Sequence, residues 1–544
     1  MLSASQFLEN PNGFLEELRR VAFSNPLYAF SLTGKTPARL LGTPPELLPG
    51  NAAAGQTLLA GAILHNGRRF AFAGFDKGLS GLSEDQTDYL HGFSWLSGLR
   101  RVGTLAARQE ARRHISAWID LYSRWHDAAW RPDLLGARLT AWLTHFGFYA
   151  GGDDPEFTQK VLTAIARQSR HLSRTGLKKL TDAKHLSAIQ GLIHAGICLP
   201  DSDGYLGAGL EYLENELNRQ ILPDGGHLSR NPSQQFRVMW DLVTIRETLR
   251  AAHIDAPGWL DDKIAVMAPM LRALRHNDGG LALFNGGDGG ESEDIDALLS
   301  LAGVRGKALS AAPHSGFHRV AAGRTTVLMD AGAPPPAGSN SFGHAGALSF
   351  EMSCGKERLI VNCGSGEKLN DDWRTALRGT SAHSTLAVDD LNSAEINPAG
   401  GYFQVPGPVS SSRREHEGRK IIEGMVEVAT KSLAMKHRRI LTIEEDGTRI
   451  AGEDRVSAAS GRMFACRFHL HPNVQATLIQ KGTAVLLKPR RGPGWKFSTV
   501  AAQLKLEDSI YVDGARRPRR TQQIVLEGAL AGGAAEAGWE LTQI

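Results

Sequence analysis

The chain has 544 residues, 42% of them hydrophobic and 22% charged, which suits a globular protein of two or more domains with large cores. Its net charge of +4 is small for this length, and the arginines are scattered apart from a run at Arg516 to Arg520. This argues against a nucleic-acid protein, which concentrates basic charge on one face. Scattered arginine remains compatible with an acidic ligand, because its planar fork holds carboxylates or sulfates bidentately. Four cysteines (Cys198, Cys354, Cys363, Cys466) are too few and too dispersed for a disulfide framework or a CxxC metal site. The first twenty residues lack the apolar core of a secretory signal, and no apolar run is long enough for a membrane span. A cytoplasmic location is expected, with the periplasm or cell envelope as the alternative.

Residues 1 to about 105 are mixed and rich in Gly, Pro and Phe. From there the period turns helical, with candidate helices at 107–127, 131–147, 154–174, 181–198, 206–222, 232–253 and 256–276. Phe236, Met239, Trp240 and Val243 form one apolar stripe within 232–253. Amphipathic helices of similar length joined by short loops bury their stripes against each other, so helical hairpins in a ring or arc are predicted. The glycine-rich segment 276–290 closes this half. Beyond about residue 312 the pattern is β, with short alternating runs such as TTVLMDAG, ALSFEMSC, RLIVNCG, STLAVDD and MFACRFHLHP. Ten or more strands without intervening helices predict an antiparallel sandwich. The fold class is therefore multi-domain, α then β: an (α/α) toroid-like helical domain over 1–310, then an antiparallel β-sandwich over 311–544.

Within the stretch from Asn340 to Asp390, His344 precedes a predicted strand, Asn362 ends the next, and His383 precedes a third. Three side chains able to bind a metal or a sugar thus lie at strand ends. Arg374 and Arg378, four apart, share one face of a helical turn and suit a carboxylate or sulfate. Asn231-Pro232 reads as a helix N-cap followed by the first helical residue. With Arg230 and Gln235 the same helix start makes an anion site. His227, in the loop before it, is the candidate base from the helical half. Tyr402, in the loop AGGYFQ, is the one tyrosine in the middle of the chain. The run 285–296 has the composition of a calcium loop without EF-hand spacing and reads as a flexible loop.

His344-Ala-Gly-Ala-Leu-Ser-Phe, the Asn362-Cys363-Gly364 turn, the Trp373/Arg374/Arg378 segment, Ala382-His383-Ser384-Thr385 and GGHLSRNPSQQ (225–235), in that architecture, resemble the heparinase II/III family of polysaccharide lyases. The resemblance implies β-elimination on an acidic, uronate-containing poly- or oligosaccharide, bound in a cleft between the two domains. Such chemistry needs a group to neutralise the uronate carboxylate, a base for the C5 proton and an acid for the leaving O4. For that chemistry His227, Asn231, His344 and Tyr402 are the candidate catalytic residues, His227 as the base from the helical half and Tyr402 as the phenol if its loop folds over the cleft. Arg230, Gln235, Arg374, Arg378 and His383 become substrate-binding residues, and His344, Asn362 and His383 a zinc site. The chain departs from the family in having Gln235 where a histidine is common and no tyrosine between Tyr212 and Tyr402. Two alternatives follow: a non-catalytic carbohydrate-binding or cell-envelope protein on the same scaffold, or a glycoside hydrolase using Asp288, Glu291 and Glu293.

Overall fold

The computed structural model describes residues 11–152, 154–175, 184–499, 502–512, 514 and 517–544. Arg516 of the basic run, the first ten residues and the start of the helix predicted at 181 lie outside them. The chain forms two compact units, one of residues 1–216 and 241–260, the other of 217–240 and 261–544. The change from helix to strand falls near residue 310, between the helix Ser292–Ala302 and the strand Ala311–Ala312. The compact units divide elsewhere, because the second one takes in residues 217–240 and 261 onward.

Seven long helices match the seven predicted segments. They are α1 (Leu105–Tyr122), α2 (Pro132–Thr144), α3 (Pro155–Arg174), α4 (Lys184–Cys198), α5 (Asp203–Gln220), α6 (Pro232–Ala251) and α7 (Gly258–Ala273). Local signals set their starts. The Thr104 hydroxyl accepts from the Ala107 amide at 3.2 Å, and Asp154 caps α3, whose first residue is Pro155. Phe157, Val161, Leu162, Ile165 and Leu172 then form the buried stripe of α3. α4 is buried from His185 to Cys198 and lies against α2. Their close approach needs glycine: a Cβ on Gly136 would sit 2.1 Å from the Ser187 carbonyl oxygen. Among the described residues of the mixed N-terminal stretch there are also a helix of 14 residues, Pro11–Ser24, several shorter ones, and a hairpin, Ala62–His65 with Arg68–Ala71.

The second unit is built on an antiparallel sandwich. One sheet of eight strands runs from Val409–His416 at one edge to Val474–Ile479 at the other. The second, of nine strands, includes Thr325–Asp330, Phe350–Cys354, Glu357–Val361 and Met463–Leu470, with the short strand Leu386–Val388 beside the last. Inward residues of both sheets, among them Val327, Phe350, Ile422, Leu441, Phe468 and Trp539, make one apolar core.

Charge is buried inside that core. Asp454 accepts from Arg439 Nε at 2.7 Å, pairs with His437 Nε2 at 2.7 Å, and accepts from Trp539 Nε1 at 2.9 Å. Burial alone would raise the Asp454 pKa, but Arg439 and His437 more than offset it and hold the carboxyl below the usual range. Removing one member strands the other charge without water, so Asp454→Asn should cost about 3–5 kcal/mol. Urea unfolding of the full chain, compared with a surface substitution such as Glu417→Gln, checks this.

Burial also keeps many histidines neutral. It pushes His171 and His194 down to about 3 in the first unit, and His227 and His383 to about 4 in the second. Each folded pKa lies below the unfolded value of 6.5, so the unfolded chain takes up protons first as pH falls. The stabilisation is complete above pH 6.5 and declines towards pH 4 by about 1.4 kcal/mol per pH unit for each such histidine. Urea midpoints at pH 7.5 and 5.5 should therefore differ sharply, the lower pH being the less stable.

Candidate functional site

The residues that the sequence singles out all lie in the second unit, and local folding draws most of them around His344 and the entry to α6. The Asn231 side chain caps α6, accepting from the Ser233 and Gln234 amides at 2.8 and 3.2 Å. Its Nδ2 donates to the Asn285 carbonyl at 2.8 Å. Arg230 adopts a left-handed backbone (φ +55°), which a non-glycine residue holds only against some cost. Its Nε donates to the Ser315 carbonyl at 2.7 Å and its Nη1 to the Ala333 carbonyl at 2.8 Å, while Nη2 pairs with Asp330. Asp330 in turn accepts from Asn285 Nδ2 at 2.8 Å.

Gln235 and His227 are turned inward. Gln235 accepts from the His227 amide at 2.7 Å and donates to the Gly225 carbonyl at 2.8 Å. Both ring nitrogens of His227 are engaged, Nδ1 with Ser229 at 2.7 Å and Nε2 with Gln220 at 2.8 Å. Burial holds its pKa at about 4. His227 is thus closed off from any substrate, and the expectation of a base there is corrected by its two satisfied nitrogens.

His344 differs. Its Nδ1 lies 3.0 Å from His383 Nε2, and His383 Nδ1 lies 2.8 Å from the Gly379 carbonyl. A carbonyl only accepts, so His383 Nδ1 carries the proton. Burial keeps His383 neutral, with a pKa of about 4, and its Nε2 is then an acceptor. His344 must donate through Nδ1, which leaves its Nε2 as a bare lone pair. That nitrogen is buried and has no partner among the described residues. Burial first, then the neighbouring His383 imidazole and the Arg378 charge, hold the His344 pKa well below the usual imidazole range. The two rings meet edge to face, and the contact needs Gly346, where a Cβ would sit 2.6 Å from the His383 ring.

His344 lines a cavity with Arg230, Asn285, Asp330, Pro334 and Pro406. The cavity measures about 10 Å³, room for roughly one water. Tyr402 stands behind His344 and donates its phenol to the His344 carbonyl at 2.9 Å, and burial raises its pKa. Of the four candidate catalytic residues, His344 lines the cavity, Tyr402 and Asn231 touch cavity residues, and His227 lies apart.

The two arginines of the helix Asp371–Arg378 hold backbone. Arg378 is buried and donates to the carbonyls of Gly343 at 2.9 Å, Asn397 at 2.8 Å and Gly401 at 2.5 Å. Arg374 donates to the Pro398 carbonyl at 2.9 Å and pairs with Asp371 at 3.1 Å. They fasten the Tyr402 loop in place; the Arg378 donors are turned to carbonyls, while Arg374 keeps a buried Nε without a partner among the described residues.

The expected zinc site is also corrected. Asn362 is fully buried, donates to Glu351 at 3.1 Å and accepts from the Ser384 amide at 3.0 Å, so its oxygen is spent. The histidine nitrogens that face each other are consumed by their own hydrogen bond. His344, Asn362 and His383 therefore do not form a ligand set, and the donor groups present do not fit the metal. Among the described residues no cluster of three His, Cys, Asp or Glu has metal-binding geometry.

Sequence reasoning missed Asp330, Asn285 and Glu351. Asp330 ends the apolar run TTVLMD, and a carboxylate closing such a strand was a usable signal. Glu351, within the alternation of Phe350–Cys354, accepts from Asn362, from the Leu283 amide at 3.1 Å and from His276 at 2.9 Å. It joins the 281–285 loop to the sheet.

Residues 116–256 match the family model of the heparinase II/III N-terminus, and residues 304–540 that of the heparinase II/III-like C-terminal region. Among characterised sequences, FtsZ-localized protein C of Caulobacter vibrioides is 29% identical, covering 93% of this chain and 91% of that protein. A crystal structure of heparinase III superposes with a TM-score of 0.74 at 13% identity, over 99% of this chain and 91% of that one. The heparan sulfate lyase HepC from Pedobacter heparinus gives a TM-score of 0.60 at 15% identity, over 90% and 82%. At such identities the structures share the fold alone. Helices first, antiparallel sheets second, and both family regions matched in order: the chain belongs to the heparinase II/III-like family.

Proposed function

We propose that the chain is a polysaccharide lyase acting by β-elimination on an acidic, uronate-containing sugar, with His344 as the proton acceptor. One observation carries this reading: the Nε2 of His344 is buried, unprotonated and without a partner among the described residues, on a side chain that lines a cavity with Arg230 and Asn285. A general base must be unprotonated and within reach of its proton. The His344–His383–Gly379 chain fixes the first condition. Arg230 and Asn285 line the same cavity, with their donors held by Asp330 and by backbone carbonyls, and could turn to a developing enolate only by releasing those partners. The C5–H bond breaks towards Nε2, its electrons form C4=C5, the C4–O4 bond breaks, and the proton taken up on Nε2 passes to the leaving O4. A sugar ring needs far more room than one water, so the irregular segments at 332–334, 393–394 and 406 must part to admit it.

Incubation with a panel of uronate polysaccharides should generate the ultraviolet absorbance of an unsaturated product. His344→Ala should lower the rate by about 10²–10⁴-fold, the usual contribution of a positioned base. Because the His344 pKa lies below 6.5, kcat/KM should hold as pH falls through 6.5 and drop only at lower pH. An acid limb at or above 6.5, or silence across the panel, would count against this assignment.

A second reading is a non-catalytic protein of the cell envelope or division machinery. Arg230, Asn231, Gln235, Arg374 and Arg378 are all engaged internally, and the sequence likeness to an FtsZ-localized protein spans nearly the whole chain. Saturable binding to purified FtsZ that survives His344→Ala, with no product from the panel, would select it.

A further inference from the structure

The first unit contains a cavity of about 200 Å³ between α1 and α3. Its floor is aromatic and buried: Trp118 and Trp130 are 1% and 2% exposed. Their indole N–H groups are already used, by His91 Nδ1 at 3.0 Å and by the Tyr122 carbonyl at 2.9 Å, so they offer the cavity only ring surface. Tyr122, tilted against Trp118 at 5.5 Å, and Ala164 add to the wall, and both are partly exposed at the rim. The polar lining is mostly spent. Gln168 accepts from Arg138 Nε at 2.6 Å and donates to the Ala164 carbonyl at 3.2 Å, and Lys160 pairs with Asp120 at 2.7 Å. A polyhydroxylated sugar would find few partners here. An apolar ring fits.

Two guanidinium groups give the cavity its sign. Arg167, on the lining, has a buried Nε without a hydrogen bond among the described residues, and its Nη2 makes a long contact, 3.4 Å to the Ala29 carbonyl. Arg124 and Arg170 lie close enough to add positive charge around it. Beneath the floor, Arg138 is fully buried, 4.0 Å from the Trp118 ring, and held by the Gln168 side chain and the carbonyls of His91 and Ala129. It has no carboxylate partner among the described residues. A buried cation without a counter-ion is costly, and an anion in the adjoining cavity would relieve that cost.

We infer that the first unit carries its own binding site, between α1 and α3, for a small apolar ring compound bearing one carboxylate. The ring stacks on Trp118 and Trp130, and the carboxylate pairs with Arg167 above the buried charge of Arg138. This site shares no residue with the His344 cavity and does not depend on the lyase reading.

Calorimetric titration of the full chain with naphthalene-2-carboxylate tests it, with naphthalene-2-carboxamide as the neutral counterpart. The carboxylate should saturate at one site per chain and bind more tightly than the carboxamide. Arg167→Gln should weaken it by about 10- to 100-fold, the value of one charge-assisted pair. Ala164→Phe, which fills the cavity from a partly exposed position, should abolish binding with an unchanged melting temperature. Equal binding of the carboxamide, undiminished binding to Arg167→Gln, or the absence of saturable heat would each overturn the inference. Should Arg167→Gln fail to fold, the carboxamide comparison and Ala164→Phe still decide it.

Discussion

The buried pair of Arg439 and Asp454 is the interaction on which the second unit depends. Two charges inside an apolar core are tolerated only when every donor and acceptor is matched. Arg439 meets that condition partly by reaching out of the core: its Nη1 donates to the carbonyls of Leu348 and Ser384 at 2.8 and 2.7 Å. Those two residues flank the segments that carry His344 and His383. The same guanidinium that closes the core therefore also ties together the backbone next to the two imidazoles. Fold and site share this one element, so a change at Arg439 would disturb both at once.

Much of the architecture was legible in the residues. Periodicity located the seven helices between Leu105 and Ala273, some of which begin at a cap such as Thr104 or Asp154, but not the helix Pro11–Ser24. The alternation in ALSFEMSC and RLIVNCG likewise marks strands of the larger sheet. Side-chain roles were far less legible. Arg378 reads as a ligand-gripping arginine by type and spacing, yet its three donors meet carbonyls whose positions no local pattern encodes. Asn362 reads as a ligand at a strand end, but its partner Glu351 comes from the neighbouring strand through a bulged register. His227 reads as a loop histidine open to substrate, and Gln220, seven residues earlier, closes it. In each case the deciding contact is tertiary.

Family membership and site geometry constrain each other. The fold is that of polysaccharide lyases, but the groups expected to grip a uronate are mostly consumed in holding loops together. What remains open is one imidazole nitrogen and a cavity the size of a water. A lyase built this way must open those loops to work, and a binding protein built this way can keep them closed. The two cases differ in the mobility of 332–334 and 393–406, not in the identity of the residues.

The directional bonds from His344 through His383 to Gly379 also limit where a proton can go. In a longer wire, a proton accepted at one end can leave at the other, because each member shifts its own proton onward. Here the far end is a peptide carbonyl, which has no proton to shift and no tendency to keep one. A proton taken up at His344 Nε2 can travel no further than His383, and a proton must leave by the face through which it came. The pair behaves as a store with a single door: whatever His344 removes from a bound molecule it must hand back to that molecule's products, or to the first water that replaces them.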